Sequence, residues 1–136
     1  MPGRGGGAVS APILYIAGPI TGIKNHGRRF ERAAMELATA GCNTLNPARN
    51  LPKANPGLTS GLVSRMFPTW HDWMRAGLAQ LIEADGVALL PGWEDSEGAS
   101  WERRIAEEVL AIPALPIVDW VRLGGRLPEP SEGVRQ

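Results

Sequence analysis

Residues 13–22 read ILYIAGPITG, an apolar run that gives way to a loop rich in glycine and proline. An uninterrupted apolar run of this length is typical of a strand that is buried on both faces. The segment that follows places apolar residues at the spacing of one helix face: Phe30, Ala33, Ala34, Leu37 and Ala38. This order predicts a strand, a loop and a helix, the unit from which parallel α/β sheets are built.

The same alternation continues along the chain. Short apolar runs predict strands at 42–45, 86–90 and 115–118, and apolar stripes predict helices at about 70–84 and 99–111. Strands that are apolar on both sides and alternate with helices indicate a parallel sheet covered on both faces. We therefore predict an α/β fold, a three-layer sandwich around a Rossmann- or flavodoxin-like sheet.

The length of 136 residues, of which 43% are hydrophobic, is that of one domain. We place this domain at 12–121, between tails at 1–11 and 122–136 that we expect to be flexible. From Ala48 to Pro68 the chain is irregular but carries several large apolar residues. We expect that segment to fold over a pocket or onto a partner subunit.

Charge and hydropathy exclude several partners and cofactors. Fourteen basic and fourteen acidic residues cancel without a basic run, which argues against binding to polymeric nucleic acid. No apolar run approaches the ~20 residues of a membrane span and no signal peptide is apparent, so we expect a cytoplasmic protein without a membrane partner. The one cysteine, Cys42, is expected to be a buried apolar residue. No His or Cys grouping has metal-ligand spacing, and the glycines at 3–7 follow no strand, so we predict no metal and no cofactor.

Ligands of such sheets bind outside the carboxyl ends of the strands, which directs attention to the loops there. Glu102 lies three residues before Ile105 and seven before Val109, so it shares their inward-facing helical stripe. A carboxylate there either interacts with the helix dipole or has a function, and its position at the ligand edge favours a function. Tyr15, inside the first strand, is either a core residue or a hydroxyl donor near the same edge.

The loop before the last predicted helix holds further candidates. Ser96 and Gly98 form the turn into that helix, where free N–H groups and a hydroxyl bind an anion such as a 5′-phosphate. A plain serine N-cap is the equally supported alternative. Trp93 and Asp95 add an aromatic ring and an acid to this loop.

Three motifs together resemble a known family: YIAGPITG at 15–22, LNPA at 45–48 and EADGVALLPGWEDSEGASWE at 83–102. They are similar to the small, mostly phage and bacterial DUF4406 proteins. Those proteins in turn resemble nucleoside 2-deoxyribosyltransferases and the hydrolases that cleave the base from 2′-deoxynucleoside 5′-monophosphates. The resemblance extends over residues 13–118.

The resemblance implies a role for individual residues. Ser96, Gly98 and Glu102 match the motif Ser/Asp-x-Gly-x-x-x-Glu, whose glutamate is the nucleophile, and Tyr15 would orient it. The implied substrate-binding residues are Gly18, Pro19, Ile20, Thr21, Asn46, Trp93, Asp95, Ser96, Gly98 and Ala99. The resemblance also implies a sheet of about five strands and a homodimer or larger homo-oligomer in which a neighbouring subunit helps to close the site.

At one position the chain departs from the enzymes. Their aspartate that assists the leaving base lies eight residues before the acid of the Ala-Asp pair, where this chain has Gly77. Asp72 is no substitute, because five residues turn a helix by about 140°. Either Glu94 or Asp95 supplies the acid, or the base leaves readily, or the reaction is lost.

The sequence therefore predicts cleavage or transfer of an N-glycosidic bond on a small nucleoside or nucleoside 5′-monophosphate through Glu102. The alternative is a non-catalytic nucleotide-binding or regulatory protein on the same fold.

Overall fold

The computed structural model describes residues 11–20, 25–49 and 69–129. Its strands are β1 (Ile13–Ala17), β2 (Asn43–Leu45), β3 (Gly86–Leu89) and β4 (Ala114–Pro116). Its helices are α1 (His26–Thr39), α2 (Trp70–Leu81), α3 (Glu97–Arg104), which continues as a π-helical turn (Ile105–Val109), and α4 (Ile117–Leu123). Within these residues, none of the helices has both the length and the apolar character that crossing a bilayer requires. Thr21, most of the predicted covering segment at 48–68, residues 1–10 of one predicted tail and residues 130–136 of the other lie outside the described residues.

The described strands form one parallel sheet in the order β2-β1-β3-β4. The predicted α/β class and parallel sheet are confirmed, with four strands in the described part of the chain instead of about five. At the centre, Tyr15 of β1 pairs with Leu45 on one side and Val87 on the other. The chain leaves β1 toward one edge and later returns to its other side, so a crevice opens at the carboxyl end of β1.

Helices cover both faces of the sheet, and the side chains of β1 alternate between the two cores that result. Leu14 and Ile16 belong to the cluster that packs against α1 and α4, whereas Tyr15 and Ala17 belong to the cluster under α2 and α3. Cys42 is buried in the first cluster, as predicted. The result is the predicted arrangement of three layers.

Helix α4 was not predicted from the sequence, which indicated a strand at 115–118. Strand β4 ends at Pro116, and Ile117 and Trp120 are buried while Val118 and Val121 are exposed. Burial at a spacing of three residues fits a helix lying on the sheet, and a strand would bury alternate residues. The short apolar run alone did not distinguish the two.

Trp120 is fully buried, and its indole Nε1–H donates to the backbone oxygen of Val87 at 2.8 Å. Its ring lies over Gly86, where an added Cβ would come within 2.7 Å of ring atom Cζ2. A glycine at the first position of β3 is therefore required for α4 to pack against the sheet.

We expect Gly86→Ala to lower the free energy of unfolding by about 1–3 kcal/mol, because the hydrogen-bonded Trp120 ring has to move. Gly27→Ala is the matched control, since an added Cβ there meets nothing within 4 Å. That control should be neutral or stabilising by up to about 1 kcal/mol. Chemical denaturation of both variants measures the difference, and equal stabilities would contradict the packing described.

Candidate active site

A cavity of about 910 Å³ opens at the carboxyl ends of β1 and β3. It lies between the amino-terminal ends of α1, α2 and α3, at the edge where parallel sheets bind ligands. Most of the predicted site residues line it: Tyr15, Gly18, Pro19, Ile20, Asp95, Ser96, Gly98, Ala99 and Glu102. Residues separated by almost ninety positions in the sequence are thus brought to one wall.

Two other predicted substrate-binding residues do not line the cavity. Asn46 is buried after β2, and its Oδ1 accepts from the backbone N–H of Ala48 at 2.9 Å, which shapes the turn that follows. Trp93 packs against the core below α3, and the guanidinium of Arg103 lies 5.3 Å from its ring centroid. Both side chains are used in supporting contacts, which their sequence positions alone did not reveal.

Glu102 is the buried acid of the cavity wall. Helix α3 and the π-helical turn after it direct Ala99, Glu102 and Ala106 inward, and the two alanines are buried in the core. Val109, which the sequence predicted on the same inward stripe, is instead 71% exposed, because the π-helical turn changes the phase of the helix. The Tyr15 hydroxyl donates to Glu102 Oε2 at 2.7 Å. The proximity that the sequence predicted for these two side chains is therefore present.

Burial sets the electrostatics of this pair. Removal from water raises the pKa of Glu102 to about 7, against the smaller, opposite effect of the hydrogen bond from Tyr15. The pKa of Tyr15 is raised well above its usual value, first by burial and then by the neighbouring carboxylate. Tyr15 consequently stays protonated and donates a hydrogen bond, while Glu102 gains and loses its proton near neutral pH. A carboxyl tuned in this way, in a cleft, is suited to act as a nucleophile or a proton acceptor.

Gly77 of α2 packs directly against this pair. A Cβ added at Gly77 would lie 2.6 Å from Glu102 Oε2 and 2.6 Å from the Tyr15 hydroxyl. A side chain at this position therefore requires the carboxylate or the phenol to move. The space in which the resemblance would place an aspartate is filled by the Tyr15–Glu102 hydrogen bond.

Ser96 is the N-cap of α3, and its Oγ accepts from the backbone N–H of Ala99 at 3.2 Å. As an acceptor in that bond, the hydroxyl retains a hydrogen that it can donate to a ligand. Ser96 also lines the cavity. The capping and anion-binding readings of this serine are thus compatible with each other.

Sequence reasoning missed several residues of the cavity wall, foremost His26, Arg29, Trp70, Trp73 and Met74. His26 and Arg29 follow the loop after β1, so their place at the carboxyl edge of the sheet was the available signal. Both tryptophans belong to the apolar stripe that predicts the helix at 70–84, and at the start of α2 this stripe faces the cavity.

The pair His71 and Asp72 does not form a dyad in this cavity. Asp72 forms a capping box with Thr69, in which the Asp72 Oδ2 accepts from the Thr69 N–H at 2.8 Å. His71 is exposed and is not among the residues that line the cavity. Across residues 11–20, 25–49 and 69–129, no three His, Cys, Asp or Glu side chains are grouped as metal ligands.

Comparison with protein families gives a match between residues 12–113 and the model described as "Domain of unknown function (DUF4406)". Comparisons with curated proteins and with solved structures give no match.

The raised pKa of Glu102 predicts a pH-dependent destabilisation. Below its usual value of 4.5, both folded and unfolded states hold the proton; between 4.5 and about 7 the unfolded state ionises first and folding weakens. Above pH 7 the free energy of unfolding is lower by the full amount, roughly 3 kcal/mol. Glu102→Gln should remove it, so the variant should gain roughly 3 kcal/mol over wild type on going from about pH 4.5 to about pH 8. Urea denaturation at both pH values tests this, and a difference that does not change with pH would contradict it.

Proposed function

The chain belongs to the DUF4406 family, whose description names no activity, and we propose from the geometry of its site that it cleaves or transfers an N-glycosidic bond. The substrate is a small nucleoside or nucleoside 5′-monophosphate, and Glu102 is the nucleophile. The observation that carries this proposal is the buried carboxyl of Glu102, hydrogen-bonded to Tyr15 in the wall of a large cavity. The resemblance of Ser96, Gly98 and Glu102 to the deoxyribosyltransferase motif supports the same role.

Tyr15 holds Oε2 of Glu102, so Oε1 is the oxygen that attacks the anomeric carbon. The bond from that carbon to the base nitrogen breaks through an oxocarbenium-like transition state, and its electron pair leaves with the base. The product is a glycosyl ester of Glu102. Water then releases the free sugar, or a second base forms a new glycosidic bond, and the carboxylate is restored.

The cavity suits a ligand of this size and character. Pockets for small ligands enclose ~300–1,000 Å³ and combine apolar walls with a few polar groups. Trp70 and Trp73 provide aromatic surface for a base, and Arg29 brings a cation. The amino terminus of α3, with Ser96, provides N–H groups and a hydroxyl for a 5′-phosphate.

A second candidate is a non-catalytic nucleotide-binding protein on the same fold. The observation that favours it is the tight packing at Gly77, which leaves no room for an acid beside Glu102 without rearrangement. This candidate predicts binding of nucleotides without release of the base.

Incubation of the chain with a panel of nucleosides and nucleoside 5′-monophosphates should release free base, detected by chromatography. Glu102→Gln keeps the shape of the side chain but removes the attacking charge, so base release should fall by a factor on the order of 10³ or more. Glu108→Gln is the control, because Glu108 is an exposed acid on the same helical segment that pairs with Arg104. Undiminished release by Glu102→Gln would contradict the proposal, and binding without release by wild type would favour the second candidate.

The pH profile gives an independent test, since Glu102 has to be ionised to attack. The kcat/KM of wild type should rise with pH through about 7 as Glu102 ionises. Tyr15→Phe deletes the hydrogen bond that lowers the pKa of Glu102, so the rise should move to higher pH. A profile that Tyr15→Phe leaves in place would show that Glu102 is not the group being titrated.

A further inference from the structure

We propose that His26 is the general acid that protonates the departing base and the general base that then activates water. This inference rests on the proposed function and supplies the proton donor for which Gly77 has no side chain. It starts from the position of His26 in the wall of the same cavity as Tyr15 and Glu102.

Helix α2 relates His26 to the nucleophile. Trp73 and Gly77 are four residues apart and therefore lie on one face of this helix, separated by about 6 Å along its axis. Gly77 contacts the Tyr15–Glu102 pair. The Trp73 ring meets the His26 imidazole edge to face, with ring centroids 6.4 Å apart at 85°. The imidazole and the carboxyl thus line one cavity and contact positions one turn apart on α2.

The ring of His26 is held in place from two sides. Besides Trp73 of α2, Phe30 of α1 packs against it edge to face, with centroids again 6.4 Å apart. Phe30 is itself fully buried in the core. A ring fixed at the amino-terminal end of α1 is better placed to direct a proton than an exposed loop side chain.

The other acids fit this role less well. Glu94 does not line the cavity, and Asp72 is engaged in its capping box. Asp95 and Glu97 line the cavity but are exposed and flank Ser96, where the phosphate is proposed to bind. With the phosphate there and the sugar carbon at Glu102, the base extends toward Trp73 and His26.

Imidazole is the side chain that most readily gives and takes a proton near neutral pH. The other titratable or charged residues that line the cavity are Tyr15, Arg29, Asp95, Glu97 and Glu102.

In the first step Glu102 bonds to the anomeric carbon, the carbon–nitrogen bond breaks, and the imidazolium proton of His26 passes to the base. In the second step neutral His26 takes a proton from a water molecule. The oxygen of that water bonds to the anomeric carbon, and the bond from this carbon to Glu102 breaks. The net reaction consumes one water, releases base and sugar, and restores both side chains.

The test compares two leaving groups. One substrate is the panel compound with the fastest base release, and the other carries 4-nitrophenolate in place of the base, which leaves without a proton. His26→Gln and the ring-preserving His26→Phe should each slow base release by about 10²-fold or more, because general acid catalysis contributes ~10²–10⁴-fold. In the first turnover, before water attacks the glycosyl ester, both variants should release nitrophenol within a few-fold of wild type, which also shows that they are folded. His71→Gln, at the exposed histidine, should match wild type on both substrates.

Equal slowing of the first turnover on both substrates in the His26 variants would overturn the proposal and leave His26 a packing residue. Unchanged base release in those variants would also overturn it. In either case the activity lost in Glu102→Gln would still support the proposed function. If wild type releases neither base nor nitrophenol, the proposed function fails and the role of His26 fails with it.

Discussion

The contact of the α2 backbone at Gly77 with the Tyr15–Glu102 pair is the constraint on which the site depends. An added Cβ at Gly77 would lie 2.6 Å from an oxygen of each partner, so helix, phenol and carboxylate meet without spare room. This contact removes Glu102 from water, and burial raises its pKa to about 7. The reactivity of the carboxyl and the close packing of α2 therefore have the same physical origin.

Burying a carboxylate weakens folding, and neighbouring contacts offset this by fixing α3 in place. Ser96 caps its first turn, and the ring of Trp93 packs below it against the core. Arg103 lies over that ring and donates to Glu107 at 2.6 Å, one turn further along the chain. These contacts orient the helix that carries Glu102, so the acid does not depend on loop residues for its position.

The sheet topology explains why the cavity draws its wall from opposite layers. Helix α1 lies on one face of the sheet and α2 and α3 lie on the other, and their amino-terminal ends approach each other beyond the carboxyl end of β1. Arg29 of α1 donates to the backbone oxygen of Pro91 after β3 at 2.7 Å, and His26 contacts Trp73 of α2. Cross-layer contacts of this kind place in the cavity wall an imidazole ring that helix α3 alone does not contain.

The sequence by itself determined the parallel α/β class, the strand at β1 and the inward direction of Glu102. Each follows from a local periodicity, either an uninterrupted apolar run or a helical stripe, that does not depend on distant residues. Pairing of Tyr15 with Glu102 was implied by the resemblance, and the parallel sheet places both residues at the same edge.

Only the tertiary structure decided that His26 and Trp73 meet at the cavity, that Asn46 and Trp93 serve as supports, and that α4 follows β4. It also decided that Gly77 is the point of closest approach, which in the sequence appears only as a missing side chain. The contacts of His26, Trp73 and Gly77 depend on how far apart two separate layers come to rest. That distance is set by the packing of side chains from different elements, and local periodicity carries no information about such packing.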